Sequence, residues 1–234
     1  MARAASQPRP LEFYGPPRGL RSREIITGVE GRGRVRLPES LSGAGAAPIE
    51  FLDIRRLRVR LPQHTPPGDY SAQLETDSQS YPVALSVEPY ESLKASGDLL
   101  FEARPGRAAD AELSLSNRGN VSSDIPESCD YWLFEQRSLE DAVIHTFHEK
   151  TADPEKLFGI LLKRLRDATG GRSKCRVTAG SGPLAPGAER VVKLRAFLPK
   201  QLTPERSYVG LMTLGPMYQG ITVHVTKNER GSKK

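Results

Sequence analysis

Two cysteines, four histidines and a run of alternating arginines are the residues of this 234-residue chain whose types and spacing could do chemistry. Cys129 and Cys175 stand 46 positions apart, one before and one after a stretch of helical periodicity. A disulfide between them would close the base of that stretch and contribute roughly 3–4 kcal/mol by restricting the unfolded chain. The alternative is a pair of buried free thiols in a reducing compartment. His145, His148 and Glu149 share a helical neighbourhood, but the local string HTFHEK lacks the H-E-x-x-H spacing and the further ligands that zinc requires, so a solvated helix face is the expectation. No G-x-S-x-G elbow and no Cys beside a His offers a nucleophile. Gly31-Arg32-Gly33 and Gly170-Gly171 are too short to cradle phosphate, and the helix dipole explains Glu140-Asp141 at a helix start. The expectation is a protein that is not an enzyme, with no catalytic residues, metal or cofactor.

Arginine is the distinctive surface feature. Every basic residue in 1–90 is Arg. Arg32, Arg34 and Arg36 alternate along one strand-like run, and Arg56, Arg58 and Arg60 along another, interleaved with Leu57, Val59 and Leu61. Period-two alternation implies a half-buried strand with its charges outward. Were the two runs neighbours, six guanidinium groups would line one sheet face, suited to carboxylate, phosphate or sulfate. Arg-rich usage with cross-strand pairing to Glu30, Glu39 or Asp53, and charged-edge protection against aggregation, account for the same pattern without a ligand.

The elements that would position these residues are mostly strands. Residues 57–87 and 194–225 repeat one plan: an apolar strand ends in Leu-Pro (Leu61-Pro62; Leu198-Pro199), a polar turn follows, and a Tyr opens the next strand (Tyr70; Tyr208). A second Tyr (Tyr81; Tyr218) then precedes a third alternating strand. Two copies predict two domains, at 1–90 and 91–226, joined by a linker at 88–98. Leu113 and Leu115 point inward from Ala111–Ser116, and Asn117 to Asn120 form a tight turn. Trp132, in the aromatic run Tyr131–Phe134, is expected in or against the core.

Within the second domain the period changes. Ser138 and Asp141 form a capping-box-like start, followed by Leu139, Val143 and Phe147 at helical spacing. Asp153-Pro154 caps a second helix with an apolar stripe of Leu157, Phe158, Leu161, Leu162 and Leu165, ending at Gly170-Gly171. These residues predict a helical insertion at about 138–170 and a candidate partner helix. Part of the stripe should pack on Val143 and Phe147 and the rest cover a sheet or meet a partner.

The net charge of +6 is spread unevenly. The excess is +2 over 1–90, +1 over 91–225 and +3 on the last nine residues, so half of it sits on a basic tail at 227–234. No base-reading module or aromatic-basic interleaving appears, so nucleic acid is not an expected partner. No apolar run approaches a membrane span, and MARAASQPRP lacks the apolar core of a signal peptide.

Several phrases resemble bacterial immunoglobulin-like sandwich modules: LSLSNRGNV (113–121), PLAPGAERVVKL (183–194) and LPQHTPPGDYSAQL (61–74). The resemblance covers most of the β pattern of the second domain and 54–87 of the first. It implies a mainly β fold of two tandem immunoglobulin-like antiparallel β-sandwiches, the second with an inserted αα-hairpin. These motifs are turn chemistry and specify fold far better than function; the family supplies no shared catalytic residues. Periplasmic pilus-assembly chaperones are also two-domain sandwiches, but their carboxylate-anchoring basic pair has no counterpart here. The leading expectation is a structural or adaptor subunit that binds other proteins. It would be extracytoplasmic, in the periplasm or at the cell surface, if a signal was removed, and otherwise part of a cytoplasmic or virion assembly. A carbohydrate- or polyanion-binding module of the cell envelope, taking an anionic glycan, and a periplasmic assembly chaperone are the alternatives.

Overall fold

A computed structural model describes residues 9–22, 34–38, 41, 46–53, 56–76, 79–149 and 153–227. The fold is mainly β, with two helices, and divides into two compact units. The first comprises 1–91 with 118–122 and 185–187; the second comprises 92–117, 123–184 and 188–234.

Among the described residues the first unit holds seven strands: β1 (Leu11–Gly15), β2 (Leu20–Ser22), β3 (Arg34–Arg36), β4 (Ala46–Asp53), β5 (Arg56–Val59), β6 (Gly68–Glu75) and β7 (Ser80–Val87). They close into a barrel of order β1-β2-β5-β4-β3-β6-β7. The closing contact is parallel, with Leu11 opposite Val83, Phe13 opposite Leu85 and Gly15 opposite Val87. Phe13, Leu20, Val35, Leu57, Val59, Leu74, Val83 and Leu85 fill the interior. An immunoglobulin-like sandwich is the expected architecture; the strand pairing among the described residues closes on itself through β1 and β7. Alternation along a strand is the same in both architectures, and only the pairing of first strand with last distinguishes them.

The second unit contains β8 (Leu93–Ser96), β9 (Leu99–Ala103), β10 (Ala108–Asn117), β11 (Ser123–Ile125) and β12 (Ser128–Glu135). Then come α1 (Gln136–Phe147), α2 (Pro154–Asp167), β13 (Thr169–Ala179), β14 (Gly182–Leu184), β15 (Glu189–Phe197), β16 (Ser207–Leu214) and β17 (Met217–Val225). Eight strands form one sheet of order β8-β10-β15-β13-β12-β16-β17-β9, and β11 pairs with β14. The 88–98 segment read as a linker contains β8, which pairs with β10 and buries Leu93. β17 lies parallel to β9, from Ile221 opposite Leu99 to Val225 opposite Ala103.

The repeated Leu-Pro…Tyr phrase has a physical basis. Leu61 and Leu198 are both buried. The Tyr70 hydroxyl donates to the Pro66 carbonyl at 2.8 Å. The Tyr208 hydroxyl accepts from the Thr203 N–H at 2.9 Å. Each phenol ties the start of a strand back to the turn before it, the device of a tyrosine corner.

Parity along β12 reverses one expectation. Tyr131 and Leu133 are fully buried, whereas Trp132 between them is 52% exposed. Tyr131 can face inward because its hydroxyl reaches the Phe197 carbonyl at 2.8 Å, which satisfies the polar end of a buried ring. Burial pushes the Tyr131 phenol up to about 12.

Close packing across β16 is set by Gly210, where a Cβ would run into the Trp132 carbonyl oxygen. Gly210→Ala is therefore expected to destabilise the protein by roughly 2 kcal/mol or more, as overpacking does. Tyr208→Phe, losing one hydrogen bond at a buried ring, should cost about 1 kcal/mol. Denaturant unfolding monitored by Trp132 fluorescence checks both; a Gly210→Ala protein as stable as wild type would contradict the strand spacing.

Candidate interaction surfaces

The arginine pattern does not form one ladder. Arg32 lies outside the described residues. Arg34 and Arg36 are exposed on β3, flanking buried Val35, and Arg36 pairs with Glu75 at 3.3 Å. Arg56 and Arg58 belong to β5, where Arg58 is half-buried, and Arg60 follows, exposed. β4 separates β3 from β5, which puts the two sets about 9–10 Å apart. The neighbour of β5 on its other side is β2, whose Arg21 stands opposite Arg58. Strand order, which alternation does not encode, decides this.

Cys129 and Cys175 face each other across the β12–β13 ladder, Cα opposite Cα, but both are free and buried. The expected disulfide is therefore corrected to a thiol pair. The ladder itself, running from Ser128 opposite Arg176 to Phe134 opposite Thr169, holds the base of the helical excursion without a covalent staple. The hydrogen bond between the two thiols lowers Cys129 below the ordinary thiol range and, with burial, pushes Cys175 up. Alkylation in denaturant without prior reduction should add two labels per chain by intact mass; zero labels would restore the disulfide.

Both helices follow β12 directly. α1 begins two residues before the expected start, because Glu135 caps it: its carboxylate accepts from the Ser138 N–H at 2.7 Å and from the Ser138 hydroxyl. Asp153 caps α2 through the N–H groups of Glu155 and Lys156 at 3.0 and 3.4 Å, with Pro154 at the first turn. α2 ends at Asp167, and Gly170 and Gly171 instead open β13. Gly170 is required there because a Cβ would meet the Tyr208 ring at 2.7 Å. Arg164 ties the helices together, donating to the Thr146 hydroxyl at 3.2 Å and the Glu149 carboxylate at 2.6 Å.

The apolar stripe of α2 divides in two. Leu157, Leu161 and Leu165 are half-buried, Phe158 and Leu162 are exposed, and α2 buries no residue fully. On α1 the buried positions are Ala142 and Thr146. Val143, Ile144 and Phe147 are exposed, Phe147 at 76%. Phe147 therefore does not supply the interhelical packing its spacing suggested. The buried positions of α1 are instead the small Ala142 and Thr146, and Thr146 meets α2 through Arg164.

A polar hollow of about 820 Å³ lies at the start of α1, lined by Glu135, Arg137, Glu140, Asp141, Glu205 and Arg206. Burial pushes the Glu135 carboxyl up, but the hydrogen bonds from Ser138 and the charge of Arg206 at 3.5 Å outweigh it and hold the group below its ordinary value. Among the described residues no group of His, Cys, Asp and Glu is arranged to hold a metal ion. His145 and His148 are exposed on and beside α1. No helix among the described residues is long and apolar enough to cross a membrane.

The depressed Glu135 pKa has a defined pH signature. Its stabilisation is fully present above the ordinary glutamate value near 4.5 and is lost as pH falls through the lower folded value. Glu135→Gln should cost about 1 kcal/mol at pH 7, in the range of a lost cap. The difference from wild type should shrink as unfolding is measured from pH 5 down to pH 3. A difference independent of pH would show that the cap does not act through its charge.

The outward face of the second unit's sheet carries residues that sequence reasoning missed. Gly220 on β17, Leu211 on β16, Trp132 on β12 and Arg172 on β13 stand in one cross-strand row. Trp132 and Leu211 are each about half exposed. The Arg172 guanidinium lies 5.9 Å from the indole centroid and pairs with Asp130 at 2.5 Å. Arg176 lies 5.6 Å from the Phe197 ring. The available signal was parity: with Tyr131 and Leu133 inward, Trp132 must face out.

No family model matches the chain, and no curated protein matches it. Among solved structures, a Porphyromonas gingivalis W83 protein of unknown function is 12% identical over 93% of this chain and 96% of that one, with a TM-score of 0.29. Domains 4 and 5 of the S-layer protein SbsC are 12% identical over 69% of this chain and 66% of that one, at 0.27. The ASH/PapD-like domain 7 of human CEP192 is 14% identical over 58% of this chain and 87% of that one, at 0.28.

Proposed function

We propose that the chain is a non-catalytic structural or adaptor module that binds another protein through the helical excursion of its second unit. In this reading the two units are tandem immunoglobulin-like β domains, the second with α1 and α2 inserted between β12 and β13. It works in an extracytoplasmic or large multi-subunit assembly. The observation that carries the reading is the exposure of Val143, Ile144, Phe147, Phe158 and Leu162 on two short helices. Val143 with Phe147, and Phe158 with Leu162, are four residues apart, so each pair occupies one face of its helix. Apolar side chains clustered in this way on an excursion from a β scaffold mark an interaction surface. Removing them from water is favourable by about 25 cal/mol per Å². The excursion is fixed by capped helices, the Arg164 clasp and the β12–β13 ladder at its base, which limits the ordering that binding must supply.

Replacing Phe147 and Phe158 together by Asp tests this. The residues are exposed, so unfolding free energy should change by less than about 0.5 kcal/mol. A stoichiometric protein partner recovered with the wild type should lose at least tenfold in affinity. An undiminished complex would exclude the helical face. A variant that fails to fold would show that these side chains are core.

A further inference from the structure

The sheet face around Trp132 differs from a merely solvated one in both its apolar and its charged content. Along β13, Arg172, Lys174 and Arg176 point outward, while Cys175 and Val177 are buried. Arg172 is paired with Asp130 and lies over the indole. Lys174 and Arg176 are exposed and make no ion pair among the described residues. On the next sheet neighbour, by contrast, Arg195 is matched to Asp110 at 2.7 Å and Lys193 to Glu112 at 3.3 Å. That pairing holds the Asp110 carboxyl below its usual range. The unmatched positive charge of this face is thus concentrated on β13, beside an exposed apolar strip of Trp132 and Leu211. The strip ends at Gly220, where a Cβ would meet nothing within 4 Å.

We propose that this face binds an extended acidic segment of a partner protein, lying along β13. Outward residues on β13 repeat every two positions, about 6.7 Å. An extended peptide carries its alternate side chains at the same interval, so carboxylates at every second residue meet Lys174 and Arg176 in step. A flanking aliphatic side chain rests on Trp132 and Leu211. Trp and Arg are the residue types that dominate interface energetics. Arg172 stacked beside the indole keeps guanidinium N–H groups available to a further acceptor. The aliphatic Leu211 beside the indole suits a protein side chain better than a sugar hydroxyl. This inference rests on the protein-binding reading above but uses different residues, and it supplies the chemistry of the partner.

Trp132 is the only tryptophan of the chain, so its fluorescence reports on this face directly. The full chain is titrated with the peptide acetyl-Ser-Leu-Ser-Glu-Ser-Glu-Ser-amide, whose Leu and two Glu share one face when extended, with its Glu-to-Gln counterpart and with polygalacturonate. A saturable change in emission with the acidic peptide is expected. Affinity should fall at least tenfold for the Gln peptide and for Lys174→Glu/Arg176→Glu, and should fall with rising salt as exposed charge contacts are screened. Lys174→Gln/Arg176→Gln, checked for wild-type melting, replaces the reversal variant if that one is unstable. Phe147→Asp/Phe158→Asp should bind the peptide as wild type does. Equal binding of the Gln peptide, full affinity of the Lys174/Arg176 variants, preference for polygalacturonate, or no emission change each overturns the proposal. The reading of the helical face stands or falls separately, on the partner complex of the Phe147/Phe158 variant.

Discussion

In each unit the last strand lies parallel beside a strand near the unit's start, β7 beside β1 and β17 beside β9, and the remaining architecture depends on that contact. β7 beside β1 turns seven short strands into a closed barrel. β17 beside β9 brings Ile221, Val223 and Val225 against Leu99 and Phe101, all buried. These are the pairings of greatest sequence separation in each unit, so they carry the largest loop-closure cost and need the whole apolar interior to offset it. The repeated tyrosines assist by anchoring the turn before the penultimate strand: Tyr70 to Pro66, Tyr208 to Thr203.

The second unit adds helices without interrupting this frame. α1 and α2 occupy the connection between two strands that are already paired, β12 and β13. A hairpin loop can lengthen at small entropic cost while its ladder stays in register. The excursion is tied by polar contacts, through Glu135 with Ser138 and Arg206 and through Arg164 with Thr146 and Glu149.

The same ladder shapes the neighbouring sheet face. Tyr131 and Leu133 fill the core, so Trp132 is turned outward, and the parity of β13 places Arg172, Lys174 and Arg176 beside it. A buried thiol pair at Cys129 and Cys175 underlies this face, small enough to let the strands pack closely. One strand pair thus supports both surfaces for which a protein partner is proposed.

Local physics was legible in the sequence. The alternation of Leu57, Val59 and Leu61 marks buried positions because a strand's side chains alternate faces by geometry alone. Asp153-Pro154 marks the start of α2 because a cap and a fixed φ act within one turn. The Leu-Pro…Tyr repeat is likewise a local turn bond made twice. What tertiary structure alone decided is which elements become neighbours. β4 separates the arginines of β3 and β5, β7 finds β1, and Cys129 stands opposite Cys175 across the β12–β13 ladder. Trp132 gives its core position to Tyr131, and on α1 Ala142 and Thr146 are buried while Phe147 is exposed. Each of these depends on strand order, parity relative to the core or the distance between packed axes. Those quantities are set by cooperative burial of residues far apart in the chain and are written in no single stretch of it.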